Sequence, residues 1–118
     1  MVILEQKISR KALADIAAEG FGDIVKAVVD VDRQIIALDA ELHSDLESLL
    51  LEDGSKQSSL WGINFYPELE GEDFIEFDSL INIRPRDNNR SRSVERPQIR
   101  KQIIAVSRNW IEMEDPNV

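Results

Sequence analysis

Short apolar runs separated by polar breaks divide the chain into segments whose spacing changes character several times. Val2–Leu4 is an apolar run bounded by charge and predicts a first strand. Ser9 then reads as a helix N-cap, with Ile8 before it and Leu13 at the fourth helical position, the spacing of a hydrophobic staple. Leu13, Ile16, Ala17 and Phe21 recur at helical spacing, and Gly20 and Gly22 predict where that helix ends. Ile24–Val31 and Gln34–Leu42 are rich in β-branched residues and alternate, with Asp30, Asp32 and Arg33 as the turn, so they predict a hairpin. A long helix from Asp23 is the competing reading, because no Gly or Pro lies between Ile24 and Leu51. The density of Val and Ile favours strands.

Ser44 and Glu47 have capping-box spacing, Leu46, Leu49 and Leu50 form a stripe, and Gly54 follows, which predicts a short helix over 44–53. Ser55–Ser59 is a polar loop. Trp61, Ile63 and Phe65 alternate with Gly62, Asn64 and Tyr66, so Leu60–Tyr66 predicts a strand, joined through Pro67–Asp73 to a second strand, Phe74–Arg84. In that second strand Ile75, Phe77, Ser79, Ile81 and Ile83 share one face, and Pro85 stops it. Arg86–Ser93 carries no apolar residue and predicts a loop. Pro97 suits the first turn of a last helix, whose stripe is Ile99, Ile103, Val106, Trp110 and Met113. The order β-α-β-β-α-β-β-α predicts an α+β fold: a single domain over 1–113 and a frayed tail over 114–118, with a mostly antiparallel sheet and helices packed on one face.

Composition narrows the functional classes. The 118 residues are 42% hydrophobic and 31% charged, as expected of one globular domain. The absence of cysteine excludes disulfide frameworks and thiolate chemistry and fits a cytoplasmic location. No signal-peptide core is visible, and no apolar run approaches the ~18 residues of a membrane span. The net charge of −9 is unevenly spread: residues 1–83 carry −12, residues 84–108 carry +6, and the last ten carry −3. Such an acidic body makes nucleic acid an unfavourable partner.

Three groups of residues could carry chemistry. The loop arginines Arg84, Arg86, Arg90 and Arg92, with Asn88 and Asn89 and with Arg96 and Arg100 on the following helix, could fork onto carboxylates or phosphates. The competing reading pairs them with the protein's own carboxylates, such as Glu76 and Asp78. The loop has no Gly-rich phosphate cradle. Asp39, Glu41 and His43 alternate and could line one strand face as an oxygen-rich metal site, although the only histidine cannot make a two-histidine site. The plainer reading is a solvated strand end followed by an acidic first helical turn. Asn64, Tyr66, Glu76, Asp78, Asn82 and Arg84 should project from the sheet face opposite Trp61, Phe65 and Phe77. They could support acid–base work or be an ordinary wet face. Trp61 and Trp110 fall on apolar faces and read as core.

The run Glu41-Leu-His43-x-Asp45, then Gly54-Ser55-x-Gln57-x-x-Leu60-Trp61-Gly62-Ile63-Asn64, Asn82-Ile83-Arg84-Pro85 and Asn89-Arg90-Ser91 resembles a small prokaryotic family of uncharacterised proteins catalogued as a domain of unknown function. The resemblance implies a free-standing, single-domain bacterial or archaeal cytoplasmic protein. It brings no activity, ligand or catalytic residue. The residues themselves therefore carry the functional expectation: a binding domain, needing no cofactor, whose arginine segment meets an anionic small molecule, an acidic protein surface or a second copy. The alternative is a small hydrolase- or transferase-type enzyme using His43 with Asp39 and Glu41, or Glu76 and Asp78, with or without a divalent metal.

Overall fold

The computed structural model describes residues 1–112. Its elements, in chain order, are β1 (Val2–Ile3), β2 (Ile8–Ser9), α1 (Arg10–Glu19), β3 (Val25–Asp30), β4 (Ile35–Leu38), α2 (His43–Glu52), β5 (Leu60–Phe65), β6 (Ile75–Glu76), α3 (Pro97–Trp110) and β7 (Ile111–Glu112). The predicted α+β order holds, with the two-residue β2 and β7 added as a parallel pair. Met113 and the predicted tail over 114–118 lie outside the described residues.

Alternation along the central strands sets the layers. β1, β4, β3, β5 and β6 form one antiparallel sheet in that order. The β3–β4 hairpin is turned by Asp30, which is fully buried and whose Oδ1 accepts the N–H groups of Asp32 and Arg33 at 2.9 Å each. Val25, Ala27 and Val29 of β3 pack with Ile36, Leu38, Trp61, Ile63 and Phe65 on one face of the sheet, where Leu13 and Ala17 of α1 and Ile103 and Val106 of α3 cover them. Val28 and Ala37 point the other way and meet Leu46 and Leu50 of α2, with Leu60. The helices are thus not all on the expected single face. Both sides of β3 are apolar, so an uncovered second face would leave Val28 and Ala37 in water.

Local signals at the helix ends fare unequally. Ser9 caps α1 by accepting the Ala12 N–H at 3.0 Å. The expected Ser44 cap does not form: α2 begins one residue earlier, at His43, with no side-chain cap from Leu42. Phe21, expected on the buried stripe of α1, is exposed beyond the helix end and lies under the Lys26 ammonium.

The predicted strand Phe74–Arg84 is a strand only at Ile75–Glu76. Beyond it, the Asn82 side chain takes the place of a ladder residue. Its Oδ1 accepts the Gly62 N–H and its Nδ2 donates to the Gly62 carbonyl, each at 2.9 Å. Ser79 caps the short turn Leu80–Asn82 through its hydroxyl. The chain comes so close to β5 here that a Cβ on Gly62 would lie 2.5 Å from the Ser79 Cβ. Gly62 is therefore fixed by close approach, the usual meaning of a glycine inside a strand.

Candidate functional site

The segment after Asn82 is expected as an open cationic loop, but it is built around a buried asparagine. Asn89 is fully buried. Its Nδ2 hydrogens are shared among the carbonyls of Asn82, Ser91 and Ser93 at 2.8, 3.1 and 2.7 Å, and its Oδ1 accepts the Glu95 N–H at 2.9 Å. A backbone bridge between Arg84 and Asn89 closes the neck. Pro85–Asp87 forms the tip, and Asn88 reverses the chain at φ 60°, a conformation asparagine tolerates better than most residues. The Glu95 carboxylate accepts the N–H groups of Arg90 and Ser91 at 2.9 and 2.7 Å. The Ser91 hydroxyl, with the Ser91 and Arg90 amides, holds Glu95 below the usual carboxylate range.

The candidate arginines separate on this frame. Arg84 donates from Nη1 to the carbonyls of Gln57 and Leu60, at 2.7 Å each, and stacks 4.2 Å from the centre of the Trp61 ring. Its Nε lies 3.3 Å from the Asp87 carboxylate. Burial pulls its pKa down, against the opposing pull of Asp87 and Glu47. Arg92 grips Asp78 with two hydrogen bonds, of 2.7 and 3.3 Å. Arg100 donates to the Val94 carbonyl and the Ser93 hydroxyl, at 2.6 Å each, and lies over Phe77. Among the described residues the Arg96 side chain reaches only the Asp87 carbonyl, at 3.3 Å. Asn88, Arg86 and Arg90 are exposed, and their side chains have no hydrogen bond or ion pair among the described residues. Of the expected anion-binding set, Arg84, Asn89, Arg92 and Arg100 are thus occupied within the fold. Arg86 and Arg90 face solvent, with Asn88 and Arg96 close to them in the chain.

A second cluster forms under the N-terminus of α2. His43 is buried, and its Nε2–H donates to the Ile63 carbonyl at 2.8 Å, which leaves the lone pair of the neutral ring on Nδ1. Burial pushes His43 below its ordinary value and Lys26 adds to this, while Ile63, Asn64 and Asp78 pull it up. Asn64, also buried, donates to the Glu76 carboxylate at 2.8 Å and to the Asp78 carbonyl at 3.2 Å. The Tyr66 hydroxyl donates to the same Glu76 oxygen at 3.3 Å. His43, Asn64, Tyr66, Glu76 and Asp78 therefore gather, whereas Asn82 and Arg84 lie toward the other end of β5, on Gly62 and Leu60. Asp39 and Glu41 stay exposed, Asp39 at φ 73°, and the expected metal trio with His43 does not assemble. Among the described residues, no three His, Asp or Glu side chains could hold a metal ion.

Sequence reasoning misses two positions that shape the site. Gly62 and Ser79 let the loop approach β5, and only the glycine inside an alternating strand hints at it. The cradle for Glu95 has no local signature.

Charge is also unevenly placed in space, although Glu70, Glu72 and Asp73 line a cleft shared with Lys7, Arg10, Arg100 and Arg108. β5 runs from Leu60, beside Arg84, to Phe65, a rise of roughly 17 Å. Beyond Phe65 stand Glu68, Glu70, Glu72 and Asp73, all exposed. Burial raises the Tyr66 pKa, and the charges of Glu76, Asp23 and Asp78 raise it further.

The family described as Protein of unknown function (DUF5674) matches residues 2–110, and the chain belongs to it. No curated protein and no solved structure matches. No helix among the described residues is long and apolar enough to cross a membrane.

Proposed function

We propose that this member of the DUF5674 family is a binding domain of the cytoplasm whose arginine loop contacts an anionic ligand or the acidic surface of a protein. Arg86 and Arg90 are the contact residues, with Asn88 and Arg96 beside them. One observation carries the reading: two guanidinium groups have no partner among the described residues, on a loop whose neck and core are held by hydrogen bonds. A guanidinium presents a planar fork of donors matched to a carboxylate or phosphate. A loop already fixed by Asn89 loses little further freedom when it binds.

Titration with oligoglutamate at low salt tests this. The wild type binds saturably and more weakly as salt rises, because exposed charges are screened. The double variant R86A/R90A no longer binds. Equal binding by that variant, or no saturable binding of oligoglutamate or inorganic phosphate by the wild type, overturns the reading.

A second reading rests on the gathering of His43, Asn64 and Asp78. In a hydrolase- or transferase-type site, neutral His43 would act as base through Nδ1. His43 is 8% exposed and its Nε2–H is already bonded to Ile63, which suits a positioned core histidine better.

A further inference from the structure

The arginine loop and the acidic 67–73 loop sit at opposite ends of β5 and carry charges of opposite sign. At the Leu60 end, where Arg84 is anchored, the loop exposes Arg86 and Arg90, and the segment just before it in the chain exposes Leu80 at 66% and Ile83 at 42%. At the Phe65 end, the loop from Pro67 to Asp73 exposes Glu68, Glu70, Glu72 and Asp73 around Leu69, which is 45% exposed. Arg10 fastens that loop through the backbone carbonyls of Pro67 and Leu69, so its guanidinium holds the loop in place while the carboxylates remain exposed. None of these four carboxylates has an ion-pair partner among the described residues. The ends lie roughly 17 Å apart along β5, about twice the screening length in physiological salt.

We infer that the partner of the arginine loop is the acidic end of a second copy: Arg86 and Arg90 of one molecule meet the 67–73 loop of the next, head to tail. The inference rests on the reading of the arginine loop as a binding surface. Charge complementarity selects the occupant, because the acidic body and the basic segment belong to one chain. The apolar residues on both ends select a protein rather than a small anion, which would leave Leu80 and Ile83 in water. Desolvated apolar contacts inside a charged rim are the usual anatomy of such interfaces. The two surfaces differ, so the contact is heterologous and propagates from copy to copy unless a rotation closes a ring.

Sedimentation velocity tests the inference with two variants, R86A/R90A and E70A/E72A/D73A. None of these side chains makes a hydrogen bond among the described residues, so both variants keep the wild-type circular dichroism spectrum and melting temperature. At low salt the wild type gains mass with concentration, and it reverts to monomer in about 1 M salt, where the screening length is ~3 Å. Each variant alone is monomeric. An equimolar mixture forms a one-to-one dimer and nothing larger, because one good surface remains on each partner. A wild type that stays monomeric at low salt, a variant that assembles like the wild type, or a mixture that restores no dimer overturns the head-to-tail contact. If the wild type is monomeric yet still binds oligoglutamate through Arg86 and Arg90, only this inference falls. If that binding is also absent, the reading beneath it falls too.

Discussion

Asn82 and Asn89 do with their side chains what backbone does elsewhere in the sheet. Asn89, itself fully buried, satisfies carbonyls from three residues and one N–H. Removing it leaves the buried Asn82 carbonyl and three partly buried groups without this partner, at about 1–3 kcal/mol for a fully buried one. Asn89→Ala should therefore destabilise the fold by about 2–4 kcal/mol in urea denaturation. A loss within experimental error would mean that the loop does not depend on it. Gly62 makes an independent test of the same approach. Gly62→Ala places a methyl group against Ser79, and overpacking of this kind costs about 1–3 kcal/mol. Ser79→Gly in the same chain should restore part of that loss. His43 predicts a pH dependence. Burial sets its folded pKa below the unfolded value of 6.5, so the unfolded chain binds the proton more readily. Stability linked to His43 is intact above pH 6.5 and declines as pH falls below it. His43→Gln should remove that part of the slope, read as the difference between wild-type and variant unfolding free energies from about pH 7.5 down to about pH 5.

Strands β3, β4 and β5 and the last helix were legible from alternation and helical spacing, because burial against a core decides those patterns. β6 was not. Ile75, Phe77, Ser79, Ile81 and Ile83 alternate as a strand would, yet Asn82 occupies the ladder position on Gly62 and the chain leaves the sheet after Glu76. Local periodicity cannot register a side chain substituting for backbone. The same holds for the loop. Its charge was visible, but which arginines are used internally depends on partners distant in sequence, such as Gln57 and Leu60 for Arg84. The partners also rank the arginines energetically. The Arg92 and Asp78 side chains are each about half exposed, so Arg92→Ala should cost at most about 1 kcal/mol. Arg84→Ala removes two hydrogen bonds and the stacking on Trp61, and should cost about 2–3 kcal/mol. Reversal of that order in chemical denaturation would contradict the assignment of Arg84 as the anchor of the loop.

For the molecule as a whole, the composition anticipated an acidic body with one basic segment, and the fold gives that polarity a direction along β5. The candidate site was legible as a charge segment but not as two residues, because separating Arg86 and Arg90 from the other arginines needs the folded contacts. His43 reads in the sequence as part of an exposed acidic run and is instead buried on Ile63. The central claim is that structural and contact arginines are different residues on one loop. Oligoglutamate titration of the wild type, R86A/R90A and R92A, each melted in the same buffer, tests it most directly. The account predicts that R86A/R90A melts with the wild type and has lost binding, while R92A still binds. Binding retained by R86A/R90A, or lost only together with folding, would contradict it.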